Sequence, residues 1–324
     1  MFDMLLAPPI QFFILAVLAG LLRSDLDIPE QVTKAMSMYL MIAIGLKGGI
    51  GLRESSAEEM LALWPIFFFA VMLSFLTPFL GVLLLRYTTR LGRLDAAAVA
   101  AHYGSVSVVT FSYAVSYMEA HHYSYQGYIV TLMALMEAPA ILSGIMLARE
   151  SNKLRPDEQK RLFSGELLRD TLLNSSVVLL LGSLVIGMTS DLAGLERIKP
   201  FIINPFYAVL CIFLMELGLV SARRLRNLRS FPIGLVAFAL YMPLIGAALA
   251  LVISRSVGIG FPEAVLFSVL GASASYIAVP AAMRLALPQA NEVYYITSSL
   301  VLTFPFNLIV GVPLYYHVVK WAYS

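Results

Sequence analysis

The chain has 324 residues; 60% are hydrophobic and 13% charged, about half the charged fraction usual in a soluble domain. A soluble core of that length cannot hide so much apolar surface, so lipid must be part of the solvent, and a formal net charge of +2 points to no nucleic-acid partner. The single cysteine, Cys211, excludes an internal disulfide and a multi-cysteine metal centre, while adjacent His121 and His122 and distant His102 and His317 give no metal-ligand spacing.

The opening "MFDMLLAPPIQFFILAVLAGLL" lacks a basic start and a small-residue cleavage site, so it reads as a first membrane span and not a signal peptide. From there apolar runs of membrane-crossing length recur between charged breaks, at 7–22, 35–52, 62–85, 95–118, 126–148, 171–190, 201–221, 231–253, 263–283 and 293–319. The expected fold class is therefore an all-α polytopic membrane protein of ten transmembrane helices, with no room for a soluble catalytic domain. Sixteen Lys and Arg fall in loops on one side, among them Arg23, Arg86, Arg149, Arg161, Arg223 and Arg284, against five on the other, Arg53, Arg197, Lys199, Arg255 and Lys320. The rule that short cytoplasmic loops are rich in Lys and Arg makes the first side cytoplasmic and sends both termini outward. Lys47 lies within a span; it and Glu216, near their span ends, are expected to reach the interface by snorkelling. Tyr315, Tyr316 and Trp321 read as interfacial anchors. The basic run "RRLRNLR" reads as an ordinary positive-inside loop.

The halves repeat. "IAIGLKGGIGLR" of the second run answers to "LMELGLVSARRLR" of the seventh, with Gly45 matching Gly218 and Arg53 matching Arg226; "DAAAVAAHYGSVSVVTF" of the fourth answers to "EAVLFSVLGASASYIAVP" of the ninth. The fifth and tenth carry mid-span prolines in "MEAPA" and "LTFPFN". Five spans per half is an odd number, so the second half enters the membrane inverted. The expected domains are a first repeat over 1–150, a cytoplasmic linker over 151–170 and an inverted repeat over 171–324. Inverted repeats with matching interrupted helices are the sequence pointer to a secondary transporter.

The interruptions supply the chemistry. Breaking a helix in lipid frees N–H groups at one new end and C=O groups at the other, tolerated only where protein or a watery cavity covers them. A freed N-terminus suits an anion; freed carbonyls and hydroxyls suit a small cation. Ser105 and Ser107 match Ser273 and Ser275 at strand-like spacing, and Gly104 and Gly271 permit close backbone approach. Taken singly, such small residues merely allow tight helix packing; the repetition in both halves favours a paired site for one small anion. Glu137 sits near the centre of the fifth run, where a charge costs about 2.5 kcal/mol or more, and such a residue is a functional candidate by default, as a cation ligand or a proton carrier. The plainer alternative is a protonated structural glutamate. Thr303 and Asn307, four apart on one helix face, occupy the repeat-related place and offer further oxygens. His102 reads as a helix–helix hydrogen-bonder.

At these residues the sequence resembles the sodium-dependent bicarbonate transporter family of cyanobacteria and other bacteria. "IGLKGGIGLR", "GSVSVVTF", "YSYQGYIVTLMALMEAPA" and "SASYIAVPAAMRLALPQANEVYYITSS" carry the resemblance, which is patterned over most of the chain. It implies a five-plus-five inverted repeat with core and gate domains, elevator-type motion and a homotrimer in the bacterial inner membrane. It further implies bicarbonate bound between the fourth and ninth spans at Gly104, Ser105, Ser107, Ser273, Ser275 and Tyr276. Na⁺ would lie nearby, with Thr110, Glu137, Thr303 and Asn307 as coupling residues and Glu137, standing for a family aspartate, as its charged ligand. No cofactor is implied beyond Na⁺ as coupling ion; a PII-like regulatory protein at the cytoplasmic face is a family partner. The chain departs from the family at Tyr276, where the family has an acid, at Ala278 and Val279, where it has Ser and Gly, and at Val108 and Val109, where it has small residues. These changes remove ligands from the inferred Na⁺ site and narrow the room for an anion.

The sequence thus predicts a transporter and no enzyme: Na⁺-driven bicarbonate symport, or on the same fold a proton-coupled or antiporting carrier of another small carboxylate. An intramembrane serine hydrolase would need a base beside its serine, and "HYGSVS" offers only His102 three residues before Ser105.

Overall fold

The computed structural model describes residues 6–53, 57–149, 169, 173–225 and 231–324. The linker 151–170, apart from Arg169, and Arg226 and Arg229 of the basic run lie outside the described residues. Every regular element among those described is a helix. Seven are long and apolar enough to cross a membrane, and Pro8–Leu21, Ser175–Thr189 and Phe261–Ala272 are shorter apolar helices.

Apart from the short helix Ala57–Ala62, in chain order the helices are α1 (Pro8–Leu21), α2 (Glu30–Leu52), α3 (Trp64–Thr88), α4 (Arg93–Gly104), α5 (Val108–Ala120), α6 (Tyr128–Leu135), α7 (Glu137–Arg149), α8 (Ser175–Thr189), α9 (Leu192–Ile202), α10 (Phe206–Leu225), α11 (Ile233–Val257), α12 (Phe261–Ala272), α13 (Ala278–Ala286) and α14 (Glu292–Tyr323). Each apolar run of the sequence becomes one helix or a broken pair. The run at 171 starts as a helix only at Ser175, where Asn174 caps it by accepting the Val177 N–H. α9 was not expected. Its Asp191 cap accepts the Gly194 N–H, and its apolar residues share one face, so a scan for uniformly greasy runs passes over it.

Two helix pairs pack most closely, α1 with α10 and α2 with α8. Without a hydrophobic drive between helices in lipid, small residues set such contacts. A Cβ on Gly49 of α2 would stand 2.1 Å from the Leu184 carbonyl of α8, so only glycine allows this approach. A second group contains α3, α4, α7, α11, α12 and α14, with α3 packed on α4, α7 and α11, and α11 on α12. α5 and α6 touch both groups.

Several polar residues sit differently from expectation. The Lys47 Nζ pairs with half-exposed Glu119 of α5 at 3.1 Å and lies 4.5 Å from the centre of the Phe206 ring. Glu216 is buried near Arg223 and Thr33. Tyr315 and Tyr316 are buried, and only Trp321, 80% exposed, has an anchor's exposure. Tyr315 donates to Asn307 Oδ1, while Tyr316 joins an aromatic cluster with Tyr117, Tyr123 and Phe261. Both turn inward because their helix faces have polar or aromatic partners there.

Candidate functional site

The two broken helices cross at their breaks. α4 ends at Gly104 and α5 starts at Val108, with Ser105 and Ser107 extended between them. α12 ends at Ala272 and α13 starts at Ala278, with Ser273 extended. Pro280 is the third residue of α13, in the first turn, where its missing N–H costs no hydrogen bond.

Hydrogen bonds tie one break to the other. The Ser107 N–H donates to Ser273 Oγ (3.1 Å), and the Ser275 N–H donates to the His102 carbonyl (2.8 Å). The serines also cap the new helix starts. Ser107 Oγ accepts from the Thr110 N–H and the Thr110 hydroxyl, and Ser275 Oγ accepts from the Val279 N–H. With both lone pairs of Ser107 Oγ engaged, its own proton is left to donate.

Between the breaks lies a cavity of about 10 Å³, room for one water-sized particle. Its wall includes Ser107, Val108, Glu137, Ser275, Tyr276 and Ala278, together with Ser37 and Met41 of α2 and Ser176 of α8. Glu137 is 2% exposed, and its Oε2 has no hydrogen-bond partner. The Tyr276 hydroxyl is also unpartnered, although Ser107 is close by. A buried carboxylate oxygen without a partner is costly in any protein and more so in lipid. Tyr276, Val108 and Ala278, three of the positions at which the sequence resemblance marked a departure, all line this space.

The other candidates do not line this cavity. Ser105 Oγ donates to the Glu137 carbonyl (3.1 Å) and Ser273 Oγ to the Leu270 carbonyl (2.9 Å). Gly104 packs on α3 and α7; an added Cβ would lie 2.6 Å from the Ser74 carbonyl. Thr110 stands behind Ser107. Thr303 Oγ1 donates to the Ala239 carbonyl and meets the Tyr103 hydroxyl, and Asn307 Nδ2 donates to the Ala272 carbonyl at the end of α12. Both brace breaks from outside the cavity. Among the described residues no group of three His, Cys, Asp or Glu is placed to hold a metal ion.

The geometry opposes hydrolase chemistry. Breaking the helix carries Ser105 out of helical register with His102, so the serine is bonded to Glu137 and not to the imidazole. His102 Nδ1 meets the Ala98 carbonyl of its own helix, and Nε2 has no partner. The residue is stacked on Tyr295 (centroids 4.6 Å apart) and makes no helix-to-helix side-chain hydrogen bond. Ser37, Met41 and Ser176 were not singled out in the sequence. Isolated serines in apolar helices are common packing residues, and nothing in their spacing marks a site.

A family model, the Na⁺-dependent bicarbonate transporter superfamily, matches residues 8–320, and the chain belongs to that family. No curated protein matches it. It is a multi-pass membrane transporter and not an enzyme.

Proposed function

We propose that this member of the Na⁺-dependent bicarbonate transporter superfamily is a secondary active symporter that carries bicarbonate with Na⁺ through alternating access of elevator type. The observation that carries the reading is the meeting of two helix starts, α5 and α13, at a cavity shared with a buried, unpartnered carboxylate. Helix starts present N–H groups and partial positive charge to an anion. Ser107 adds a free hydroxyl proton for it. Glu137 with neighbouring hydroxyls offers a cation site. In the arrangement described the cavity is too small for bicarbonate's four heavy atoms, so the anion enters a more open state.

A ten-span inverted repeat over 1–150 and 171–324 is supported by contacts that recur in both halves. The pair α1 and α10 answers to α8 and α2, α3 and α4 answer to α11 and α12, and α4 and α7 to α12 and α14. Pro78 and Gly81 of α3 recur as Pro243 and Gly246 of α11. In this reading α1, α2, α8 and α10 form the gate and the remaining spans the moving core. Both termini face outward from a bacterial inner membrane. A homotrimer and a PII-like cytoplasmic partner belong to the proposal through the family resemblance alone.

Uptake of labelled bicarbonate into proteoliposomes tests it. An inward Na⁺ gradient is expected to drive accumulation above the gradient-free level. Uptake that follows a proton gradient and ignores Na⁺ would favour the proton-coupled alternative, which the lone carboxylate and the tyrosine at position 276 keep chemically reasonable. No gradient-dependent uptake of any small carboxylate would overturn both.

A further inference from the structure

The cavity at the crossing is not built by the broken helices alone. Ser37 and Ser176, 8% and 7% exposed, reach it from α2 and α8. A serine in a membrane helix commonly returns its hydroxyl to the carbonyl four residues back, as Ser254 does to Ala250. Ser37 makes no such bond to Thr33, and Ser176 is a close polar neighbour of the Glu137 carboxylate. The wall has no basic side chain, its one formal charge is that of Glu137, and the space admits one water-sized particle. Glu137, whose Oε2 is buried and unpartnered, belongs to the same wall as these hydroxyls.

We propose that Ser37 and Ser176 complete, with Glu137 and the Ser275 hydroxyl, one site for a desolvated monovalent cation of sodium's size, shared between helices that stay and helices that move. The inference rests on the transport reading for its consequence. Glu137 and Ser275 belong to the core, Ser37 and Ser176 to the gate, so the site is whole only in the arrangement described. Sliding of the core removes two of four oxygen ligands. Cation affinity is then high in one position and low in the other, which fixes the side on which the cation leaves.

The test is thermal stability of the purified full chain in lipid nanodiscs without bicarbonate, titrated with NaCl against choline chloride at constant ionic strength. Wild-type protein is expected to gain stability with Na⁺, since a ligand that binds only the folded state stabilises it. Ser176→Ala and Ser37→Ala are each expected to raise the Na⁺ concentration for half the effect about tenfold, as loss of a hydrogen-bonding or ligating hydroxyl to a charged group would. Ser176→Thr, which keeps the hydroxyl, should restore it, and Glu137→Gln should abolish the response. An unchanged half-effect concentration in both alanine variants overturns the proposal, as does a wild-type protein with no Na⁺ response. If bicarbonate uptake fails in proteoliposomes while the Na⁺ response keeps its serine dependence, the transport reading falls and the shared site stands.

Discussion

Tyr276 is the residue where the chain's chemistry is least settled by its neighbours. Its ring is buried and packed edge-on against Phe304 (centroids 5.3 Å apart), while its hydroxyl has no hydrogen-bond partner. Leaving a buried hydroxyl unsatisfied costs about 1–3 kcal/mol. A cost of that size at a cavity wall is consistent with a group that waits for a ligand. Tyr276→Phe keeps the ring and removes the polar atom. The substrate-free protein is therefore expected to keep or raise its thermal midpoint, while apparent bicarbonate affinity in the uptake assay falls severalfold. A loss of stability without substrate would show that the hydroxyl is structural. The sequence already singled out Ser107, Ser275, Tyr276 and Glu137, because serines repeated in both halves and a carboxylate at mid-membrane are both improbable without use. It did not single out Ser37 or Ser176, each a lone hydroxyl in an intact helix, because only the packing of α2 and α8 against the crossing gives them a role.

At the scale of elements, the breaks are held open by side chains from other helices. Pro139, in the first turn of α7, cannot donate to the Leu135 carbonyl at the end of α6, and the carbonyls of Met136 and Glu137 at the start of α7 also accept the hydroxyls of Ser74 and Ser105. Across the repeat, α14 loosens into π-helical turns at Thr297–Thr303 and Asn307–Gly311 on either side of Pro305. Asn307 uses both ends of its amide: Nδ2 donates to the Ala272 carbonyl and Oδ1 accepts from Tyr315. The sequence placed Thr303 and Asn307 near the cation by symmetry with Glu137; the structure turns them to other work, Asn307 donating to the freed Ala272 carbonyl at the end of α12 and Thr303 to the Ala239 carbonyl of α11. Asn307→Leu strips two buried groups of their partners at once. It is expected to destabilise the protein by about 3 kcal/mol, within the usual range for two unsatisfied buried groups. A clear drop in thermal midpoint in nanodiscs checks it, and wild-type stability would mean that water replaces the amide. The breaks were legible because Gly, Ser and Pro mark them. The amphipathic α9 was not, because its average hydropathy is low although one face is apolar.

For the whole molecule, the question is whether two groups of helices move past one another. Of the ion pairs Lys199–Glu196, Arg223–Asp27, Arg284–Glu292 and Lys47–Glu119, only the last joins α2 to α5, helices that the proposed elevator assigns to gate and core. It borders a hollow of about 590 Å³ that α9 and the loop after α5 also wall. The Lys47 Nζ also lies over the Phe206 ring of α10, while Glu119 is half exposed. In an elevator this pair must break in each cycle; in a carrier that does not slide it stays closed. A pair so exposed on one side contributes up to about 1 kcal/mol, equivalent to roughly fivefold in a rate when its rupture is part of the limiting step. Glu119→Gln is therefore expected to raise the rate of Na⁺-driven bicarbonate uptake up to about fivefold. Raising ionic strength with choline chloride should bring the wild-type rate toward that of the variant, because salt screens the pair. The reversed pair Lys47→Glu with Glu119→Lys should return the rate toward the wild-type value. If uptake is indifferent to all three changes, the pair is not broken during transport, and the division of the helices into a moving and a fixed group has to be drawn elsewhere.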